Sequence, residues 1–176
     1  MVRVIGGTAR GRQLRAKLPV AVRPTTDYAR EAIFSMLESR GGLVGHVVAD
    51  LYCGSGAMGI EALSRGATKA YFVDTDPACL AAARTNLEPL GLRGEASFVR
   101  AQLPVWTPPR DIDLVLADPP YGPINLAALL RQVTARRVVV ENDRLMDAPE
   151  GWIVTKTKRY GTTLVTMLEP SEGDDE

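Results

Sequence analysis

Histidine and cysteine are almost missing from this chain of 176 residues, which has one histidine, His46, and two cysteines, Cys53 and Cys79. The cysteines have no metal-ligand spacing, so no metal is expected, and a disulfide does not fit the reducing compartment that the rest of the sequence implies. Both are read as small packing residues. His46 stands just before an apolar strand and reads as a loop or strand-edge residue rather than a catalyst. Long apolar runs are missing too: none approaches the roughly 20 residues needed to span a bilayer, and the N-terminus lacks the apolar stretch of a signal peptide. A cytoplasmic protein without a membrane partner is expected. Net charge is absent, with 21 Lys plus Arg against 21 Asp plus Glu, so overall charge points to no partner. No apolar seam suggests an oligomer, and a monomer is expected. Internal repeats are absent as well.

What the sequence has is an uneven distribution of its charge. Arg3, Arg10, Arg12, Arg15, Lys17 and Arg23 meet no acidic residue between Met1 and Arg23, whereas Glu169, Glu172, Asp174, Asp175 and Glu176 crowd the other end. A basic end is an electrostatic handle for phosphate; an acidic end with Gly and Ser reads as a disordered tail. Val2 to Ile5 and Gln13 to Arg15 flank the Gly- and Arg-rich stretch Gly6 to Arg12, which predicts a short hairpin with a flexible tip. Three regions are therefore expected: residues 1–26 as basic hairpin and linker, 27–168 as one catalytic domain, and 169–176 as tail. At 45% hydrophobic residues the length suffices for one substantial core.

Ala29, Ile33, Met36 and Leu37 fall at helical spacing, with Asp27 or Thr26 as the cap. From Val47 onward, apolar strands alternate with helical segments: Val47 to Leu51, Ala70 to Val73, Ser97 to Val99, Ile112 to Ala117 and Arg137 to Val140 as strands, Met58 to Arg65 and Pro77 to Leu90 as helices. That alternation predicts a parallel sheet with crossover helices. Trp152 to Lys158 and Thr162 to Leu168, joined by Arg159-Tyr160-Gly161, predict an antiparallel hairpin closing the sheet.

Asp50-Leu51-Tyr52-Cys53-Gly54-Ser55-Gly56-Ala57-Met58-Gly59 stands where the first core strand meets its helix, in the crevice where open α/β sheets bind ligands. Gly54, Gly56 and Gly59 satisfy a dinucleotide pattern as well, so the loop alone selects no cofactor. Asp50 does discriminate: a carboxylate there repels a pyrophosphate and suits an α-ammonium, which favours S-adenosylmethionine over NAD. Asp74 closes the second strand, where a carboxylate accepts hydrogen bonds from ribose hydroxyls. Asp76, just before Pro77, reads as a helix N-cap. Gln102 and Leu103 follow the next strand and are expected to flank the adenine.

The chemistry resides in Asp118-Pro119-Pro120-Tyr121, directly after the apolar strand 112–117. Consecutive prolines supply no backbone donor and hold the chain extended, leaving carbonyls outward. The exocyclic amine of a base is a poor nucleophile because its lone pair is delocalised into the ring. Acceptance of its two N–H groups by the Asp118 carboxylate and the Pro119 carbonyl aims that lone pair at a sulfonium methyl, while Tyr121 stacks on the base. Orientation and proximity are then the catalytic contribution.

With these motifs the sequence resembles the RsmD-type 16S ribosomal RNA guanine-N2 methyltransferases over nearly its whole length. The resemblance rests on Arg3-Val4-Ile5-Gly6-Gly7 with Arg10-Gly11-Arg12, on Arg23-Pro24-Thr25-Thr26-Asp27 with Arg30-Glu31, on Asp50 to Gly56 continuing through Gly59 to Ala67, and on Asp118 to Tyr121. It implies a class I methyltransferase fold with a mixed seven-stranded sheet and an N-terminal hairpin that touches RNA. The implied reaction is methyl transfer from S-adenosylmethionine to guanine N2 of 16S rRNA, at guanine 966, in an assembled small-subunit particle. By the same resemblance Asp74 holds the ribose, Thr75 with Gln102 and Leu103 borders the adenine, and backbone from Cys53 through Gly54 and Ser55 to Gly56 holds the methionine part. Relatives often place Asn or Asp where this chain has Gln102. RNA contacts are expected from Arg3, Arg10, Arg12, Arg15 and Lys17. The tetrapeptide alone also serves amine methylation on DNA adenine or protein glutamine, and the glycine loop alone an NAD-dependent oxidoreductase; the basic N-terminal segment favours RNA.

Overall fold

The computed structural model of the chain describes residues 2–16, 18, 27–120 and 124–171. Its main sheet has seven strands: β3 Val47–Leu51, β4 Lys69–Asp74, β5 Glu95–Arg100, β6 Leu114–Ala117, β7 Arg137–Asn142, β8 Trp152–Tyr160 and β9 Thr163–Pro170. They lie in the order β5-β4-β3-β6-β7-β9-β8, with β5 through β7 parallel and the last two antiparallel. β3 sits at the centre, flanked by β4 and β6, so the chain reverses its direction of growth across the sheet there. That is the crevice which such sheets use for ligands.

Alternate residues of each strand feed two cores. Val48, Leu114, Leu116 and Val139 pack under the helices α1 Asp27–Glu38 and α2 Ala57–Ser64, together with Ile33, Phe34, Ile60 and Leu63. Ala49, Leu51, Val115, Val138 and Val140 face the other way, onto Leu126, Leu129 and Leu130 of the short helix α4 Leu126–Leu130. Both faces of the central strands are thus dry, which explains their near-continuous apolar composition. α4 is missed by periodicity because five residues are too few to show one.

The helix α3 Pro77–Leu87 starts as its sequence indicates, with Pro77 in the first turn and the Asp76 carboxylate accepting the Ala78 N–H at 2.8 Å. It ends three residues before the expected Leu90. Pro89 has no N–H to continue the α ladder, so Glu88–Leu90 tighten into a 3₁₀ turn that Gly91 closes at φ 60°. The C-terminal hairpin turns at Gly161-Thr162 rather than at Arg159 to Gly161, since β8 runs on to Tyr160.

β1 Val2–Arg3 and β2 Gln13–Leu14 form the expected N-terminal hairpin. Its tip is packed against the body of the protein. Val4, Ala9 and Leu14 belong to the same core as α1 and α2, and backbone groups from Ile5 to Ala9 are bonded to the C-terminal half of α2. The acidic tail also begins later than its composition suggests: Glu169 and Pro170 belong to β9, and the Glu169 carboxylate pairs with Arg40 at 3.0 Å and Arg137 at 2.9 Å. Among the described residues no helix is long and apolar enough to cross a membrane.

Candidate active site

The carboxyl ends of β4, β3 and β6 meet at one corner, and the loops leaving them are cross-linked. After β3 the backbone turns sharply through Tyr52, which holds a left-handed φ of 59°, an arrangement that costs a non-glycine residue on the order of 1–2 kcal/mol. Two bonds hold it there: the Cys53 N–H donates to the Val73 carbonyl at 3.1 Å, and the Gly56 N–H returns to the Cys53 carbonyl at 2.7 Å. Gly56 has φ 77°, and a Cβ on it would stand 2.8 Å from that of Ala83, so glycine is needed both for the turn and for the approach of α3.

Asp74 links the glycine loop to the next connection. Its two oxygens accept the Gly54 N–H and the Asp76 N–H, each at 3.0 Å, and the carboxylate is only half-buried. The Cys79 thiol also bonds this carboxylate, which still keeps acceptor capacity for a hydroxyl donor. The Asp74 carbonyl accepts the Ala101 N–H at 3.1 Å, which folds the loop bearing Gln102 and Leu103 back toward it; Gln102 is exposed and Leu103 half-buried against the second core. Thr75 is exposed, its carbonyl accepting from Arg100 Nε at 3.3 Å. Hydrogen bonds thus join Gly54, Asp74, Thr75 and the loop of Gln102 into one rim.

Asp50 does not lie on that rim. It is 2% exposed, and one carboxylate oxygen accepts the Gly59 N–H at 2.8 Å from inside the first turn of α2. Burial raises its pKa well above the usual carboxylate range; the Gly59 bond opposes this, and the charges of Asp118 and Asp74 add to the rise. Burial likewise pushes the Cys53 thiol far up, and Cys79 to about 11, so both sulfurs are inert packing groups.

Asp118 follows β6 and stays attached to the corner, its N–H donating to the Leu51 carbonyl at 3.4 Å. It is half-buried, Pro119 is buried and Pro120 exposed. Leu51 pairs with both Val73 and Ala117, so Asp74 and Asp118 leave the sheet on either side of Tyr52. Tyr121, Lys17 and the segment Arg23 to Thr26 lie outside the described residues.

The expected RNA-binding residues Arg3, Arg10, Arg12 and Arg15 are exposed on the hairpin. Arg12 donates to the Pro89 carbonyl at 2.9 Å, Arg15 Nε to Gln13 at 3.2 Å, and Arg3 approaches Asp27 at 3.7 Å. Sequence reasoning missed what fixes that hairpin. Glu61, fully buried on α2, accepts the N–H groups of Ile5 and Gly6 at 2.7 Å each and Arg65 Nε at 2.8 Å. One turn on, Ser64 Oγ donates to the Gly6 carbonyl at 2.6 Å and accepts the Ala9 N–H at 2.9 Å. The only available signal was a polar i, i+3, i+4 set, Glu61, Ser64 and Arg65, on an otherwise apolar helix. Asn86 was missed too; it bridges the hairpin exit at Ala16 to the glycine loop at Ser55.

This fold is shared. The chain is 35% identical to YlbH of Bacillus subtilis, a provisionally named rRNA methyltransferase, across 96% of this chain and 98% of that protein. It is 30% identical to the ribosomal RNA small subunit methyltransferase D of Haemophilus influenzae, across 91% and 89%. Among solved structures, a provisionally named methyltransferase of Escherichia coli, yhhF, superposes with a TM-score of 0.80 at 28% identity, covering 97% of this chain and 98% of that one. An RNA methyltransferase of Salinibacter ruber with bound S-adenosyl-L-homocysteine has the same fold, with a TM-score of 0.64 at 21% identity over 88% and 98%. The family described as conserved hypothetical protein 95 matches residues 2–169, and the chain belongs to it, the family of the RsmD-type ribosomal RNA methyltransferases.

Proposed function

We propose that this protein transfers a methyl group to the N2 amine of a guanine in 16S ribosomal RNA, at the position that the family resemblance marks as guanine 966, within the small ribosomal subunit or its assembly intermediate. The observation that carries the reading is Asp118-Pro119-Pro120 held against the exit of β3, next to a rim built from the glycine loop and Asp74.

The methyl donor is S-adenosylmethionine, whose positive sulfur supplies an activated methyl group. The half-buried Asp74 carboxylate, which keeps acceptor capacity beyond its present bonds, fits the ribose hydroxyls; Thr75, Gln102 and Leu103 border the adenine; and the backbone of Cys53 to Gly56 lies along the methionine part. Asp50, buried behind that backbone, keeps α2 in place and, once ionised above its raised pKa, adds a negative charge for the ammonium. Across the corner the Asp118 carboxylate and the Pro119 carbonyl accept the two hydrogens of the amine, and Tyr121 fixes the plane of the base. No strong general base is required, because the amine sheds its proton only as the new bond forms; Asp118 is the nearest acceptor.

Single-turnover transfer to small-subunit particles at saturating S-adenosylmethionine tests this. Asp118→Ala should lose about 10²–10³ in rate with little change in cofactor affinity, since it removes one well-placed polar contact made in the transition state. Asp118→Asn keeps one acceptor and should fall between. An Ala variant as fast as wild type removes Asp118 from the reaction, and digestion of the product to nucleosides shows which base atom carries the methyl.

A further inference from the structure

We propose that Glu141 selects the base: its carboxylate accepts the N1–H of guanine while Asp118 takes the neighbouring N2–H. The inference rests on the amino-methyltransferase reading above and deepens it, because it names what separates guanine from the other bases that carry an exocyclic amine.

Glu141 is the fifth residue of β7, and β7 pairs in parallel with β6 through Ala117 and Val140. Asp118 directly follows β6, and its N–H still bonds the Leu51 carbonyl, so carrying the register one residue on sets it beside Glu141 at about one interstrand spacing, roughly 4.8 Å. The alternation of side chains puts both on the same face: Leu114 and Leu116 before Asp118, and Val139 before Glu141, all belong to the core under α1 and α2, whereas Val138 and Val140 belong to the other. Asp50, two residues after Val48 of that core, lies on that face as well by the same alternation. Glu141 is 5% exposed, in a strand covered on both sides by β6 and β9.

Guanine presents two adjacent donors on this edge, N1–H and N2–H. Adenine and cytosine place an unprotonated ring nitrogen beside their exocyclic amine. Two neighbouring carboxylates match the first pattern; in the second, the Glu141 oxygen would face a lone pair in a site of low dielectric, which rejects the base by repulsion as well as by loss of a bond. Asp118 alone grips any amine. Asp118 and Glu141 together accept guanine.

2-Aminopurine separates the two roles, since it keeps the N2 amine but has a bare N1. Small-subunit particles reconstituted with 16S rRNA carrying guanine or 2-aminopurine at the target are compared by methyl transfer per enzyme. Wild type should prefer guanine by about 100-fold or more. Glu141→Gln, whose amide can donate to a bare N1, should slow guanine and shift the ratio at least about tenfold toward 2-aminopurine. Glu141→Asp should keep the preference at reduced rate, and the affinity for S-adenosylmethionine should be unchanged in both. A wild-type preference under about threefold overturns the assignment whether or not the variants fold, and so does an unaltered ratio in a folded Glu141→Gln. If wild type methylates these particles at an atom other than guanine N2, the parent reading has failed, and the assignment of Glu141 fails with it.

Discussion

Asp50 shows how one side chain is drawn between folding and chemistry. Its carboxylate is buried, accepts the Gly59 N–H, and is raised well above the usual range mainly by desolvation. For a carboxyl group whose folded pKa lies above the unfolded value, the contribution to stability is fully present below the unfolded value, about 3.9. It is lost as the pH rises to the folded value and stays lost beyond it, because only the unfolded chain ionises freely. Asp50→Asn removes the ionisation and keeps an acceptor for Gly59. Thermal unfolding measured from pH 4 to pH 8 should therefore show the variant gaining stability over wild type as the pH rises, while calorimetry shows weaker binding of S-adenosylmethionine, whose ammonium loses a nearby negative charge. A variant with wild-type affinity would leave Asp50 as a purely structural residue. Asp74 has the opposite balance, half-buried with both oxygens already bracing backbone. Asp74→Ala should weaken cofactor binding by about 1–3 kcal/mol, since it strips acceptors from the ribose and also frees the glycine loop.

At the scale of elements, the N-terminal hairpin is held by α2 rather than by its own two-residue strands. Gly7 has φ 74°, and any Cβ there would collide with the Ser64 carbonyl, which already accepts the Thr8 N–H at 2.8 Å. Gly7→Ala must therefore lift the tip off the helix, stranding the buried Glu61 with fewer donors. The expected cost is about 2–4 kcal/mol, from left-handed strain together with lost partners of a buried charge. Trypsin, which cuts after Arg10 and Arg12, should then cleave the native variant much faster than wild type; equal cleavage rates would mean that the tip is not held at Ser64. These contacts also mark the limit of what the sequence alone reveals. Pro77 with Asp76, Gly91 and the apolar strands 47–51 and 114–117 are legible because their causes lie within a few residues. Glu61 bonds partners 55 and 56 residues away, and Asp50 one 9 residues on, so local patterns show neither the role of Glu61 nor that Asp50, which they do single out, turns inward. The glycine loop and Asp118 stand out in the sequence because each motif is a contiguous run of residues. Glu141 was hidden inside a strand that otherwise reads as plain core.

For the whole molecule, the same docking decides what the basic residues can touch. The tip bearing Arg10 and Arg12 sits at the C-terminal end of α2, and Ala16 at the hairpin's exit reaches Asn86 beside the glycine loop. The hairpin thus lies along α2, whose eight residues span about 12 Å. An RNA with its target base at Asp118 must run past Arg15 and along that face to meet Arg12 and Arg10, a basic path of several phosphates on a chain with zero net charge overall. Binding along such a stripe releases counterions in proportion to the phosphates neutralised, so log affinity falls with log salt at about 0.7–0.9 per contact. Replacing Arg10, Arg12 and Arg15 together by Gln should therefore weaken RNA binding at low salt and reduce the slope by up to about 2–3. Cofactor affinity should stay unchanged, because none of the three touches the rim around Asp74. Arg12 also donates to the Pro89 carbonyl, so Gln rather than a short residue keeps that donor and separates loss of charge from loss of packing. The measurement is a salt titration of binding to 16S rRNA and to small-subunit particles, in parallel for wild type and the triple variant. Equal slopes on both would make the hairpin a structural clasp for α2 only; a reduced slope on particles but not on free rRNA would mean that the stripe meets phosphates ordered by the assembled subunit.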